Sequence, residues 1–155
     1  MLSQKIINPN QLFKIKPINK PIVFTNGVFD ILHSGHVSYL EESKMRGKTL
    51  IVALNTDESV KNLNKGENRP INNLENRMLV ISALESVDFV TWFSENTPID
   101  LINYIKPDVI TKGGDWETSK IVGYKEMIAW GGEIFSIKFK HDLSTTKLIN
   151  KIKNN

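Results

Sequence analysis

Short apolar runs alternate along the chain with longer amphipathic segments. The apolar runs are rich in β-branched residues and are continuous rather than alternating with polar residues, a pattern typical of strands buried on both faces. They lie at 22–25, 50–54, 89–93, 109–111 and 134–137. The segments between them predict helices at 35–46, 73–84, 97–104 and 122–130, and a last one from residue 144. This order predicts an α/β domain, a doubly wound sheet of about five parallel strands with helices on both faces.

Several helix ends carry local signals. Gly47 and the pair Gly131-Gly132 follow predicted helices, as glycine often does at a helix C-terminus. Thr97-Pro98 offers an N-cap residue followed by proline at the first helical position, and Ser144 is a second N-cap candidate. Residues 55–65 predict a short helix and a loop. Residues 1–20 predict an irregular or partly helical extension before a domain at 21–155.

Polar, glycine-containing and basic loops follow the predicted strands. In a parallel sheet the carboxyl ends of the strands meet at one edge, and ligands bind beyond that edge. The loops concerned are 26–36, 55–57, 94–97, 112–115 and 140–146. The sequence therefore predicts a binding site formed by these loops.

Composition narrows the classes of function. The chain has 155 residues, a net charge of +3 and no cysteine, which excludes a disulfide framework and a thiolate metal site. No apolar run approaches the roughly 20 residues of a membrane span. The lysine-rich segment 1–20 has neither the apolar core nor the cleavage site of a signal peptide. We expect a cytoplasmic protein that binds neither nucleic acid nor membrane, since a modest charge without a basic stripe suits small anions better.

Two of the three histidines, His33 and His36, stand at a predicted helix start, and three interpretations compete. They could simply satisfy or cap the helix. They could bind zinc, but this needs a third protein ligand, and His141 is the only other histidine. They could bind an anion, because a helix N-terminus offers unpaired N–H groups and partial positive charge, and Gly27 and Gly35 allow close approach.

The run His33-Ser34-Gly35-His36 resembles the HxGH signature of the nucleotidyltransferase superfamily. Its context strengthens the resemblance: the lead-in TNGVFDILH follows a strand, and Ser144-Thr145-Thr146 resembles the second signature, ISTT, at the last helix. Together they bracket nearly the whole chain at the spacing of one Rossmann-like domain. The resemblance favours the anion interpretation.

Further stretches resemble one branch of this superfamily, the adenylyltransferases that make ADP-heptose from D-glycero-β-D-manno-heptose 1-phosphate and ATP. They include LIVALNTDESV, KGENRPIN, NRMLVISALESVDFV and KPDVITKGGDW. Three positions depart from that branch: Val28 replaces a frequent cysteine, Gly47-Lys48 a glycine–aspartate pair, and Asp142 a common glycine. The glycerol-3-phosphate cytidylyltransferases share both signatures but usually carry Arg-Thr-Glu-Gly before ISTT, where this chain has the run 139–142, FKHD.

The resemblance implies a role for each matching residue. His33, His36, Lys65 and Arg77 would act on the phosphates in catalysis. Asp30 would orient a histidine or act through the metal, Asp57 would bind a sugar hydroxyl or cap a helix, and Glu95 and Thr97 would touch the sugar phosphate. The remaining residues implied to bind the nucleotide are Thr25, Asn26, Gly27, Phe29, Gly35, Arg69, Lys112, Gly113, Asp115, Ser144, Thr145 and Thr146, with Gly114 and Trp116 beside them.

The implied reaction is in-line attack of a sugar 1-phosphate on the α-phosphorus of ATP, which releases pyrophosphate. Mg²⁺ would arrive with ATP and keep several waters, so no dedicated metal site is expected. The resemblance also implies a homo-oligomer and a separate sugar kinase and phosphatase. Two alternatives stay open: another acceptor or nucleotide, such as glycerol 3-phosphate with CTP or FMN with ATP, and a nucleotide-binding regulator without turnover.

Overall fold

The computed structural model describes residues 4–14, 18–63, 68–140 and 144–154. Five strands alternate with helices along the chain. The strands are β1 (Ile22–Gly27), β2 (Thr49–Asn55), β3 (Phe89–Phe93), β4 (Val109–Gly113) and β5 (Glu133–Ile137). The α-helices are α1 (Ser34–Lys44), α2 (Asp57–Asn62), α3 (Leu74–Ser82), α4 (Ile99–Ile105), α5 (Tyr124–Trp130) and α6 (Thr145–Lys153), and short 3-10 helices cover Pro9–Lys14 and Thr118–Lys120.

All five strands are parallel, in the order β3-β2-β1-β4-β5. Strand β2 is buried along its whole length, as its continuous apolar sequence predicts. The chain leaves β1 toward β2 and β3 and then returns to β4 on the other side. The order therefore reverses between β1 and β4, which opens a crevice beyond their carboxyl ends.

Alternate residues of each strand pack into two separate apolar cores, one on each face of the sheet. One core joins Phe24 and Ile51 to helices α4 and α5. The other joins Val23 and Val52 to helices α1 and α3. This arrangement confirms the prediction of a parallel sheet covered by helices on both faces.

Two of the four local signals at helix ends are confirmed. Ser144 caps α6 by accepting a hydrogen bond from the Lys147 N–H, and Gly131 ends α5 with a φ of 78°. The signal at Gly47 is wrong, because α1 ends at Lys44 and its C-cap is Met45. The predicted Thr97 cap is wrong, because Pro98 occupies the N-cap position of α4 and makes no capping bond. Helix α5 begins later than predicted because Gly123, with a φ of 93°, interrupts the chain after the 3-10 helix.

Residues 4–14 pack against the edge strand β3. Ile6 forms a parallel bridge with Val90, and the Lys5 ammonium donates to the carbonyl oxygens of Leu84 and Val87. Leu12 is completely buried in the core that contains α4. This segment therefore covers a sheet edge that would otherwise expose unpaired backbone groups.

Replacement of Leu12 by alanine tests whether this segment stabilises the domain. We expect Leu12→Ala to lower the free energy of unfolding by at least about 2 kcal/mol, the usual minimum for a buried leucine. Urea denaturation followed by circular dichroism measures the change. Gln11→Ala, on the exposed side of the same 3-10 helix, is the matched control and should change stability by less than about 0.5 kcal/mol. Equal effects of the two substitutions would contradict the role of the segment.

None of the helices in the described parts of the chain is long and apolar enough to cross a membrane.

Candidate functional site

A cleft of about 490 Å³ opens beyond the carboxyl ends of β1 and β4, where the strand order reverses. Its volume suits a nucleotide-sized ligand. Thirteen of the residues predicted for the site or beside it line the cleft together: Asn26, Gly27, Phe29, Asp30, His33, His36, Arg69, Lys112, Gly113, Trp116, Ser144, Thr145 and Thr146. Residues more than a hundred positions apart therefore meet at the predicted edge of the sheet.

The two histidine rings are stacked, with centroids 3.8 Å apart and planes 26° from parallel. His33 is the N-cap residue of α1, yet its side chain makes no capping hydrogen bond. The Nδ1 atoms of both rings are buried and have no hydrogen-bond partner among the described residues. A role confined to capping therefore does not explain the pair, because buried polar atoms are nearly always satisfied.

Both imidazoles favour the neutral form in this structure. Burial lowers the pKa of His33, while burial and, to a smaller extent, the charge on His33 lower the pKa of His36 to about 4. A neutral imidazole still carries one N–H donor. Near neutral pH the pair can therefore donate hydrogen bonds to an anion without the mutual repulsion of two charged rings.

The lowered pKa of His36 predicts how stability depends on pH. Between pH 6.5, its ordinary pKa, and about 4, the unfolded chain binds a proton at His36 that the folded chain does not. We therefore expect the free energy of unfolding to fall as the pH decreases through this window. Urea denaturation at several pH values should show a flatter profile for His36→Asn than for the natural chain. Identical profiles would contradict the assignment of a neutral, buried His36.

Two helices begin at the cleft. Helix α1 starts at Ser34 and α6 at Thr145, and neither has an acidic residue in its first turn. Both N-termini therefore offer partial positive charge to the same space. The Ser144 hydroxyl caps α6. The Thr145 hydroxyl donates to the Ile31 carbonyl oxygen at 3.3 Å, which ties the start of α6 to the loop of residues 28–33, here called the histidine loop.

Asp30 does not orient a histidine, contrary to the first of the roles implied for it. Its carboxylate is fully buried and accepts hydrogen bonds from Arg69 Nε at 2.5 Å, Ile71 N at 2.9 Å and Asn72 N at 2.8 Å. The carboxylate therefore anchors the segment before α3 to the histidine loop. Arg69 neutralises its charge, which leaves the described part of the cleft free of an unpaired acidic group.

Arg77 does not line the cleft, so the expectation that it contacts a phosphate is corrected. Its guanidinium is completely buried and donates to the carbonyl oxygens of Val28, Asn55 and Asn72 and to Asp57 Oδ1, all within 2.7–2.9 Å. Arg77, near the start of α3, does face an anion, and that anion is the Asp57 carboxylate.

Asp57 is held by this ion pair and lies outside the cleft lining. The alternative that it caps α2 is wrong, because Thr56 is the N-cap and accepts from the Ser59 N–H.

Other predicted residues also lie away from the cleft surface. The Thr25 hydroxyl is buried and paired with the Tyr39 hydroxyl beneath the site. Asp115 is exposed beside Lys138. Gly35 lies under the His33 ring, where an added Cβ would approach the ring atoms to 3.0 Å.

Glu95 lines a separate cavity beyond β3, and Thr97 lines neither this cavity nor the cleft. Lys65, His141 and Asp142 lie outside the described residues.

Three cleft residues were not among the predicted site residues: Val28, Tyr39 and Phe139. Tyr39 lies one helical turn after His36, a spacing that could have placed it on the same face of α1. The Phe139 ring contacts the rings of Tyr39 and His36 edge-on. It also covers Gly113, where an added Cβ would approach its Cζ to 2.6 Å. The sequence feature that could have identified Phe139 is its position, an aromatic residue between β5 and the Ser-Thr-Thr run.

No group of three or more histidine, cysteine, aspartate or glutamate side chains that could hold a metal ion occurs among the described residues. The acidic side chain in the cleft lining, Asp30, is committed to three donors. Arg69 and Lys112 are the cationic ones. The described donor set therefore suits the phosphates of a metal-complexed nucleotide better than a resident metal ion.

Comparison with known proteins agrees with this geometry. The family model described as Cytidylyltransferase-like matches residues 24–151. The D-beta-D-heptose 1-phosphate adenylyltransferase of Bordetella bronchiseptica is 48% identical over 134 residues, which cover 86% of this chain and 83% of that protein. The Bifunctional protein HldE of Haemophilus influenzae (strain PittGG) is 54% identical over 138 residues, 89% of this chain and 29% of that protein. The chain thus spans about three tenths of the length of this bifunctional relative.

Solved structures show the same fold. The lipopolysaccharide core biosynthesis protein of Thermoplasma volcanium is similar with a TM-score of 0.64 and 32% identity, over 77% of this chain and 95% of that one. Pantothenate synthetase of Thermus thermophilus has a TM-score of 0.67 at 12% identity, over 93% and 67% of the two chains, a likeness of fold alone. The family match, the HxGH run and its place at the reversal of strand order all agree: the chain belongs to the Cytidylyltransferase-like family of HxGH nucleotidyltransferases.

Proposed function

We propose that this protein transfers AMP from MgATP to D-glycero-β-D-manno-heptose 1-phosphate, giving ADP-heptose and pyrophosphate. The observation that carries the proposal is the stacked pair His33 and His36 between two helix N-termini, α1 and α6, that open into one cleft. The name of the Bordetella relative, which the chain matches over most of both lengths, supports heptose 1-phosphate as the acceptor.

The proposed reaction needs charge stabilisation and positioning. An oxygen of the sugar phosphate forms a bond to the α-phosphorus of ATP, and the bond from that phosphorus to the bridging oxygen of pyrophosphate breaks. Negative charge increases on the α-phosphoryl and leaving oxygens, where preorganised donors are most effective. His33 and His36 would donate to these oxygens. No general base is required, because a phosphate dianion is already nucleophilic near neutral pH.

The cationic and helical parts of the cleft would hold the triphosphate. Lys112 contributes positive charge, Arg69 contributes guanidinium N–H donors, and the N-terminus of α6 with Thr145 and Thr146 would receive the leaving pyrophosphate. Mg²⁺ enters as part of the MgATP substrate, held by phosphate oxygens and water.

We further propose that the enzyme is cytoplasmic and forms a homo-oligomer. A separate kinase and phosphatase would supply its sugar phosphate.

Pyrophosphate release tests the proposal. The purified chain with Mg²⁺ is offered ATP or CTP, each with heptose 1-phosphate, glycerol 3-phosphate or FMN. We expect release with ATP and heptose 1-phosphate only. Release with CTP and glycerol 3-phosphate would reject the heptose assignment and keep the cleft as a nucleotidyltransferase site. Nucleotide binding with no release in any combination would reject transfer to these acceptors and favour a regulatory nucleotide-binding role.

A further inference from the structure

The segment between the described residues 68 and 73 lies across the histidine loop and carries Arg69 into the cleft. This segment has no regular secondary structure before α3 begins at Leu74. Its position depends on hydrogen bonds to Asp30, the residue that lies three positions before His33 in the same loop. The placement of Arg69 relative to the histidines is therefore decided by the contacts of this segment.

Asn72 makes the largest number of these contacts. Its backbone N–H donates to Asp30 Oδ1 at 2.8 Å, and its side-chain Nδ2 donates to the Asp30 carbonyl oxygen at 2.7 Å. Its own carbonyl oxygen accepts from Arg77 Nε at 2.9 Å. Asn72 thus connects the histidine loop on one side with the buried arginine of α3 on the other.

Arg69 has the geometry of a phosphate ligand held in advance. Its Nε is fixed on the Asp30 carboxylate, and its side chain, which is 10% exposed, lines the cleft with both histidines. Among the described residues, the recorded partner of the Arg69 guanidinium is Asp30 alone. Since a guanidinium has five N–H donors in one plane, a bond at Nε orients the terminal nitrogens and leaves them able to bind phosphate oxygens.

We infer that Asn72 is a positioning residue that acts through Arg69: its side-chain amide holds the turn that presents the Arg69 guanidinium to the phosphates of the nucleotide. The inference rests on the proposed nucleotide site. It predicts that loss of the Asn72 amide weakens nucleotide binding even though Asn72 itself does not line the cleft.

The adjacent Asn73 provides a matched control. It is also an asparagine, and its side chain also makes one hydrogen bond, as the N-cap of α3 accepting from the Asn76 N–H at 3.0 Å. Asn73→Ala should lower stability, as the loss of a helix cap does, without changing the cleft. It removes no contact with Asp30 or Arg69, so a merely structural loss and a loss of positioning give different results at the two sites.

Isothermal titration calorimetry with MgATP, without an acceptor, tests the inference on the full chain. Asn72→Ala should weaken ATP binding about five- to tenfold, within the range of a misplaced charge-assisted hydrogen bond, while Asn73→Ala should leave it within about twofold. In an Arg69→Ala background, Asn72→Ala should add less than about twofold, because the two residues act as one unit. Asn72→Ser, whose hydroxyl is too short to replace the amide, serves if the alanine variant does not fold.

The outcomes separate this inference from the proposed function. Equal ATP affinities for Asn72→Ala and Asn73→Ala would overturn it, and so would a loss at Asn72 that persists unchanged without Arg69. Because the titration contains no acceptor, ATP binding that depends on Asn72 without turnover on any acceptor would support the inference and reject the proposed function. A natural chain that does not bind ATP would reject both.

Discussion

Replacement of His36 by alanine is expected to lower kcat for pyrophosphate release by at least about a hundredfold, the usual effect of removing one preorganised donor to a developing charge. His36 is packed between the stacked His33 ring and the edge of Phe29, whose centroid is 5.1 Å away. The alanine variant should therefore lose the donor and leave water in its place. Steady-state assays of pyrophosphate release measure the effect.

Two further variants show whether the loss of kcat comes from the missing imidazole donor. Glu41→Ala, on the exposed face of the same helix, should keep kcat within about twofold, since surface substitutions away from the site rarely perturb it. His36→Gln retains an amide donor and should recover part of the lost rate. If His36→Ala folded normally and kept the natural kcat, the histidine would have no part in the chemistry, and the proposed mechanism would be wrong.

Replacement of Arg77 by alanine is expected to lower the free energy of unfolding by about 3–5 kcal/mol, because it removes a buried guanidinium that donates to three backbone carbonyl oxygens, and each buried polar group left unsatisfied costs about 1–3 kcal/mol. The substitution leaves the carbonyl oxygens of Val28, Asn55 and Asn72 without their donor. It also releases Asp57, which is 40% exposed and can be rehydrated. Most of the cost should therefore come from the three carbonyl groups. Urea denaturation followed by circular dichroism measures it.

Arg46 is the matched control for this prediction. Its side chain is partly exposed, its Nη2 lies 3.6 Å from Glu42 Oε1, and its guanidinium stacks over the Phe135 ring. Arg46→Ala should lower the free energy of unfolding by about 1 kcal/mol. Arg77→Lys keeps the charge but not the planar fork and should remain clearly destabilised. Natural stability for Arg77→Ala combined with lost ATP binding would contradict the structural role and restore Arg77 as a phosphate ligand.

The strands and the edge that carries the site could be predicted from the sequence because both depend on local chemistry. Runs such as residues 50–54 have no polar position, so they are buried on both faces wherever they lie in the sheet. Ser144 indicated a helix start because its hydroxyl bonds to a backbone N–H three residues away. The order of the strands could not be predicted in this way, because it depends on contacts between residues distant in sequence, such as the pairing of Val23 with Val109.

Three errors in the predicted site, at Arg77, Asp30 and Thr25, share one physical origin. An arginine at a helix start indicates an anion, but a sequence does not show whether that anion is a ligand or a carboxylate twenty residues away. Arg77 forms its ion pair with Asp57, and Asp30 forms its ion pair with Arg69 instead of contacting a histidine. Thr25 faces Tyr39 because β1 and α1 pack with those side chains between them. In each case another side chain of the same protein forms the hydrogen bond or ion pair that the sequence suggested for a ligand.

The sequence by itself determined the class of fold, the family and the pair of signatures that mark the cleft, because these depend on periodicity and on short runs of residues. Only the tertiary structure decided which charged groups face the ligand and which pair with each other, since a buried charge is stabilised by whichever opposite charge the fold brings within hydrogen-bond distance. It also showed that residues 4–14 complete the sheet edge, and that Asn72 connects Asp30 to Arg77. The contacts of Ile6 with Val90 and of Asn72 with Asp30 join residues far apart in sequence, so their geometry exists only once the chain has folded.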